Sequence, residues 1–523
     1  MIAGLYAPFY FAHFGIHFHD EPYQIALARD YTHSPGAPLS GLISTLWASV
    51  CGWKLYSMRA LAIALNELGM LTCGAYMYAV TRRLPLTMLT VGITAYLMSF
   101  YFTTYLYGWD SASTCFICLT MTGTLCALRR PSVWIWVATG VCAGAAATSR
   151  IPNVCLWVLV PLLIAATPDM GHKPKYIGAY IAAALAVTSA TIISIFGTPG
   201  AYAEAIRTEM VNAHSPLANI AGTLYQTLAL FGTGSVVISV FALIYLIYRI
   251  RLPRSIQAAA IAVVAIYFYG YSHIHMQEPD GLSLYFSAWL LITICYAAVC
   301  ARGKTRPQVY MALITIACFS FAPTVGSNTA LHKHLSIMAM PAALALTAAV
   351  CGRAFKTATI VTALVLGAFG IRNKCGFTYA DAGIGMCTTE PATPLFDGVK
   401  TTPSRAALID EIASSVHIAG DEDFMAVSNG GNRYLIDYLR GQRSPYRKNS
   451  WIGGELADHE YISTVCGHVR RSDRPVYILL LRYAEGRAKS SPMEDSLLTM
   501  HPQTVRDGDA YVLYRFGRVS ERR

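Results

Sequence analysis

Two adjacent carboxylates, Asp20 and Glu21, stand in the stretch "HFHDEPYQIALARDY", within two residues of the end of an apolar run. A carboxylate held there can take the proton of an attacking hydroxyl as a new bond forms, or balance developing positive charge. Far along the chain, "LHKH" brings His332, Lys333 and His334 together, three groups able to carry positive charge and to seat a phosphate. Arg150 in "TSRIPN", Lys54 in "GWKLY" and Arg59 in "SMRAL" are further cations of the kind that a departing phosphate needs, while Tyr23, Asp110 in "YGWD" and His214 in "VNAHSP" offer contacts to a polar substrate. Taken singly, most such residues read as members of a solvated loop. Arg150 reads equally as an arginine snorkelling from a helix end. Glu67, beside Asn66 in "RALAIALNELGML", lies midway along an apolar run, where a carboxylate either works or bonds a neighbouring helix.

The elements that would hold these groups follow from composition. The chain of 523 residues is 54% hydrophobic and only 13% charged, too apolar for an ordinary soluble globule. It reads as a polytopic α-helical membrane protein. Apolar runs give thirteen transmembrane candidates, at about 2–18, 58–80, 86–106, 111–128, 132–148, 153–167, 176–197, 221–248, 256–272, 283–300, 308–324, 335–352 and 357–371. The net charge of +11 does not point to nucleic acid, because Lys and Arg gather between the runs. Every second loop is basic: Arg82 and Arg83, Arg129 and Arg130, Lys173 and Lys175, Arg249, Arg251 and Arg254, Arg302, Lys304 and Arg306, Arg353 and Lys356. The alternate loops hold only Arg29, Lys54, Arg150, Arg207 and Lys333, so the positive-inside rule puts the acidic pair on the outer face. Pro152 disfavours helix at Ile151, which breaks residues 132–167 into two crossings at "SRIPN" and leaves Arg150 at the outer surface. No cleavable signal pattern accompanies the first helix, which is therefore expected to be retained.

The first outer loop, residues 19–57, is expected to hold two interfacial helices and to form a wall of the active site. Residues 1–371 form the expected transmembrane domain and 372–523 an extracytoplasmic α/β domain, with helix-like "PSRAALIDEIASSV" and strand-like "DFMAVS", "PVYILLL" and "DAYVLYRF". There is no Walker loop, no Gly-rich dinucleotide turn and no zinc spacing. Cys375 and Cys387 are close enough in sequence to close a loop in an oxidising compartment.

The retained first helix, the Asp-Glu pair just outside it, the long first loop and "MRALAIALNELGMLTCGAYMYAVTRRL" resemble the GT-C glycosyltransferases, nearest to the protein O-mannosyltransferase and aminoarabinose transferase branch with its bacterial RgtA/B/C/D-like proteins. Arg59, Tyr78 and the "RRL" exit at Arg82 to Leu84 match features of that branch, over about residues 14–84. The "SRIPN" turn departs from the "Lys-Gly-Pro"-like turn of many members. The resemblance implies an inverting transfer of a sugar from a polyprenyl-phosphate carrier to a lipid, glycan or protein acceptor, outside a bacterial inner membrane. It implies Asp20 as general base with Glu21 orienting it or touching the sugar, the two roles being interchangeable at this stage. It implies phosphate contacts from Lys333, His332, His334, Arg150, Lys54 and Arg59. No cofactor is required by this chemistry, although a divalent metal bridging Asp20 and the phosphate is compatible with it.

The rival reading is a multi-pass transporter or lipid flippase. It calls for inverted repeats and helices broken at mid-membrane, whereas the polar residues here collect on one face, with Glu67 the main exception. A membrane-anchored interaction protein would not need so many spans.

Overall fold

The computed structural model describes residues 1–18, 20–98, 107–167, 170–209, 236, 239–240, 242–248, 250, 252–275, 306–321, 353–376, 381–419, 422–427, 433–441, 459–481, 491–508 and 511–517. They fall into two compact units, one of residues 1–12, 32–43 and 59–376, the other of residues 13–31, 44–58 and 377–523. Residues 13–58 are thus shared, segments 13–31 and 44–58 folding with the C-terminal residues and 32–43 with the first unit.

The first unit is helical. Its main described helices are α1 (Ile2–Phe11), α4 (Leu55–Thr81), α5 (Leu84–Met98), α6 (Trp109–Arg129), α7 (Val133–Ser149), α8 (Leu156–Ala166), α9 (Lys173–Phe196), α10 (Pro199–Glu209), α11 (Arg254–His275), α12 (Arg306–Phe321) and α13 (Arg353–Gly376). In the loop after α1 lie α2 (Asp20–Arg29) and α3 (Pro38–Cys51), the two helices expected there. Three described helices are long and apolar enough to cross a membrane: Leu55–Thr81, Asp110–Arg129 and Lys173–Phe196. The apolar stretches of the other described helices are shorter, such as Arg254–Gly270 and Ile360–Asn373, and the runs at 283–300 and 335–352, with most of 221–248, lie outside the described residues.

Two boundaries differ from the sequence reading for physical reasons. The first helix ends at Phe11, not at residue 18. Gly15 has a φ of +79°, which interrupts a right-handed helix, and its N–H donates to Lys400 O at 2.7 Å while the Lys400 N–H donates to His13 O at 2.7 Å. Second, Lys173, Lys175, Arg254, Arg306 and Arg353, counted above as loop residues, lie within the first turns of helices. Long aliphatic stems let the helix run on while the charge stays at its end.

Packing in this unit rests on small residues. "GVCAG" in α7 puts Gly140 and Gly144 four apart, on one helix face. A Cβ on Gly140 would collide with the Tyr180 carbonyl of α9, and one on Gly144 would sit 2.6 Å from the Ala184 carbonyl oxygen. The helices approach backbone to backbone, the small-xxx-small arrangement that serves where apolar surroundings give no hydrophobic drive for association. Buried Tyr180 closes the contact by donating its hydroxyl to Leu156 O at 2.9 Å. The threonines of these apolar helices satisfy themselves by donating to the carbonyl four residues back, as Thr120, Thr124, Thr139 and Thr148 do.

The second unit contains a four-stranded sheet of order β1 (Asp423–Val427), β2 (Val476–Leu481), β4 (Tyr511–Phe516), β3 (Gln503–Asp507). β1 and β2 are parallel and the other pairs antiparallel, with an irregularity between Thr504 and Arg506. Three strands coincide with the apolar runs of the sequence. β3, "QTVRD", escaped notice because it is mostly polar and half-exposed, as suits an outer strand of the sheet. The helices are α14 (Pro403–Ala419), α15 (Arg433–Arg440), α16 (His459–Arg471) and α17 (Pro492–Leu498). Tyr461, Ile462, Val465, Cys466 and Val469 of α16 bury one face against Met425, Ile478, Leu480 and Val512 of the sheet. α17 begins with a capping Ser491, whose hydroxyl accepts from Glu494 N, and Glu494 in turn accepts from the Tyr514 hydroxyl at 2.8 Å.

Cys375 and Cys387 are both free thiols, the first exposed and the second buried. Burial, reinforced by the carboxylate of Asp381, pushes the Cys387 thiol up to about 11.

Two predictions follow from the packing. Gly140→Leu should lower the stability of the detergent-solubilised protein by about 1–3 kcal/mol or more, read as a fall in Tm. Gly178→Ala, at a glycine of α9 with open space around its Cα, should leave Tm unchanged. At pH 8 a maleimide should label Cys375 and spare Cys387, and Cys387 should become reactive only as the pH approaches 11, because the thiolate is the nucleophile.

Candidate active site

The acidic pair opens α2. Asp20 is its first residue, and Glu21, next to it, is fully buried. α2 packs on α15 through the rings of Tyr23 and Tyr434, whose centroids are 4.5 Å apart. At its other end the Arg29 guanidinium lies 5.1 Å from the Trp53 ring centroid and 5.3 Å from that of Tyr438, and it donates to Tyr438 O at 3.0 Å. Burial lowers the Arg29 pKa from its ordinary value, with the Tyr438 hydroxyl acting in the opposite sense. Stacking over two aromatic faces suits this weakly hydrated cation better than it would a lysine.

The chain entering α2 is held with equal firmness. The His13 ring stacks on Tyr56 with centroids 4.2 Å apart, and its Nδ1 lies 2.6 Å from Gly398 O. Ile16 is fully buried, and its N–H donates to Asp381 Oδ2 at 3.0 Å. Arg405 donates to Ile16 O at 3.0 Å, pairs with Asp381 at 3.3 Å and covers the Phe18 ring at 4.8 Å. None of the C-terminal partners, Asp381, Arg405, Tyr434 or Tyr438, stood out in the sequence. They lie in a stretch without a recognisable motif, and nothing local marks a residue that acts on a segment more than 350 positions away.

The predicted cations have different settings. Lys54 forms an ion pair with Asp397 at 2.5 Å, both side chains about half-exposed. Arg59, fully buried on α4, donates to Ala12 O at 2.8 Å. Arg150 follows α7 in extended conformation and is followed by a 3-10 turn, Ile151–Cys155, with Pro152 near its start, so the break expected at "SRIPN" is present. Its guanidinium approaches Asp110 of α6 to 2.6 Å. His214, His332, Lys333 and His334 lie outside the described residues.

Around the Arg150–Asp110 pair the first unit assembles buried polar groups. Asn153 Nδ2 donates to Ser113 Oγ at 2.8 Å and to Ala146 O at 2.9 Å, Ile151 N donates to Gly36 O at 3.1 Å, and Ser40 donates to Ser149 O at 2.9 Å. The Oγ atoms of Ser111 and Ser149 and the Oδ1 of Asn153 are buried without a hydrogen-bond partner among the described residues. A cation, the open end of α6 and unsatisfied hydroxyls in one place can receive an anionic or hydroxyl-rich ligand. Among the described residues no three His, Cys, Asp or Glu side chains gather as a metal would require.

No family model and no curated protein sequence matches the chain. Solved structures do resemble it. ArnT from Cupriavidus metallidurans in the apo state has a TM-score of 0.48 at 12% identity, covering 99% of this chain and 97% of that one. The same protein bound to undecaprenyl phosphate has a TM-score of 0.43 at 10% identity, over 98% and 96%. An oligosaccharyltransferase from Archaeoglobus fulgidus, tethered with an acceptor peptide, has a TM-score of 0.48 at 12% identity, over 91% of this chain and 68% of that one.

Arg150→Met should destabilise the protein by about 1–3 kcal/mol, below the full cost of breaking a dry ion pair because the Asp110 side chain is one-third exposed. Arg150→Met/Asp110→Leu should recover most of that loss, as a double-mutant cycle of thermal melts would show.

Proposed function

We propose that the protein is an inverting glycosyltransferase that moves a sugar from a polyprenyl-phosphate carrier to an acceptor on the extracytoplasmic face of a membrane. The observation that carries this reading is the acidic pair at the start of α2, braced on the incoming chain and along the helix itself. Burial of Glu21 makes it the supporting member, and Asp20 is assigned the attack. Asp20 takes the proton of the acceptor hydroxyl as that oxygen bonds to the anomeric carbon, and the bond from this carbon to the phosphate oxygen breaks on the opposite side. An ionised carboxylate of ordinary basicity achieves this by placement. The leaving phosphate is already a good anion and needs charge balance, not a proton.

Arg150 is the foremost described candidate for that balance, with Arg59 behind it and Lys54 already engaged by Asp397. Lys333, His332 and His334 complete the proposed phosphate set. Asp110, Tyr23 and His214 are the proposed substrate contacts. Thirteen crossings, a transmembrane domain of residues 1–371, an extracytoplasmic domain of residues 372–523 and a bacterial inner membrane belong to the same proposal. It is supported by the basic residues of alternate loops and by the three long apolar helices.

The test is transfer of labelled sugar from isolated polyprenyl-phosphate sugars in membranes carrying wild type, Asp20→Asn or Glu21→Gln at matched expression. Asp20→Asn should lower transfer about 10²- to 10⁴-fold with donor still bound, and Glu21→Gln should cost less. Wild-type membranes that transfer from no donor, while moving solute or lipid, would favour the transporter.

A further inference from the structure

The Asp381 side chain is almost fully buried, at 1% exposure, in a setting with no obvious stabilising purpose. Taking a carboxylate and a guanidinium out of water costs about as much as their attraction returns, so a buried ion pair serves geometry better than stability. Here the geometry is specific. Between the end of α1 at Phe11 and the start of α2 at Asp20, the described chain has no helix of its own. Its conformation is set from outside, at His13, Gly15, Ile16 and Phe18. The tightest point is Ile16, both of whose backbone polar groups are taken by one ion pair, the N–H by Asp381 and the C=O by Arg405. Thr401 donates its hydroxyl to the same Asp381 oxygen that accepts from Ile16, which fixes the carboxylate plane. The Arg405 guanidinium also lies over Phe18, two residues before Asp20.

We propose that Asp381 and Arg405 are positioning residues for the transfer reaction: a clamp supplied by the C-terminal segment that sets the direction of the chain into α2 and hence the place of Asp20. The inference rests on the function proposed above and gives the C-terminal residues a part in it that does not depend on acceptor recognition. Four residues of extended chain span at most about 14 Å, so a peptide rotated at Ile16 displaces the start of α2 directly. A misplacement of about 1 Å at a reacting group costs on the order of 10²-fold in rate.

The experiment uses the full chain in detergent or nanodiscs, with Asp381→Asn, which keeps the volume and loses the charge. Expected are a roughly 10- to 100-fold fall in kcat with KM for the polyprenyl-phosphate sugar unchanged, and faster deuterium uptake in the peptide spanning residues 12–18. Asp20→Asn/Asp381→Asn should be no slower than Asp20→Asn alone, because a positioning residue has nothing left to position. Wild-type kcat in Asp381→Asn, or a loss that multiplies with that of Asp20→Asn, overturns the proposal. If Asp381→Asn does not fold, Arg405→Met is judged by the same criteria, since methionine lacks the nitrogen that reaches both Asp381 and Ile16 O. Deuterium uptake separates the two readings: undiminished transfer by Asp20→Asn would sink the assignment of the base, while unchanged uptake in Asp381→Asn would sink the clamp.

Discussion

A single buried carboxylate organises the approach to the acidic pair. Asp381 accepts from the Ile16 backbone and the Thr401 hydroxyl and pairs with Arg405, which reaches back to the same Ile16. The chain that follows α1 would otherwise be a tether, and a side chain on a tether has no fixed place. Tying both backbone polar groups of one residue, Ile16, to a single ion pair removes that freedom. Nearby contacts extend the constraint: Lys400 accepts from the Gly15 N–H and donates its own to His13 O, the His13 ring stacks on Tyr56, and Tyr23 meets Tyr434. The conformational entropy of residues 13–29 is therefore lost on folding, before any substrate arrives.

The helical unit is built on a different constraint. Where the surroundings are apolar, burying more hydrocarbon gains little, so closeness of approach decides which helices pair. Gly140 and Gly144 allow α7 to lie directly on the α9 backbone, and at the end of the same helix Ser149 and Arg150 meet the start of α6. The polar cluster of Arg150, Asp110, Asn153 and Ser113 thus sits where tightly packed helices end. That placement holds the charged groups rigidly at helix ends.

The order of events in the chain was readable from its residues. Apolar runs located the described helices to within a few residues at most ends, Pro152 marked the break before α8, and alternating apolar residues marked β1, β2 and β4. These are local properties, in which each residue reports its own preference for apolar surroundings or a backbone conformation. The acidic pair and Arg150 were also conspicuous, because charged residues beside apolar runs are few in a chain with 13% charged residues.

What tertiary structure alone decided is which distant segments share a unit. The bonding of His13 and Gly15 depends on Lys400, the pairing of Lys54 depends on Asp397, and the anchoring of Ile16 depends on Asp381 and Arg405. Such contacts leave no periodicity and no composition bias, since one buried carboxylate looks like any loop aspartate in sequence. The sequence by itself determined where chemistry was possible, through residue type and local pattern. Only the fold decided which of those groups are held and by what, because a hydrogen bond across hundreds of positions depends on the path of the whole chain between them.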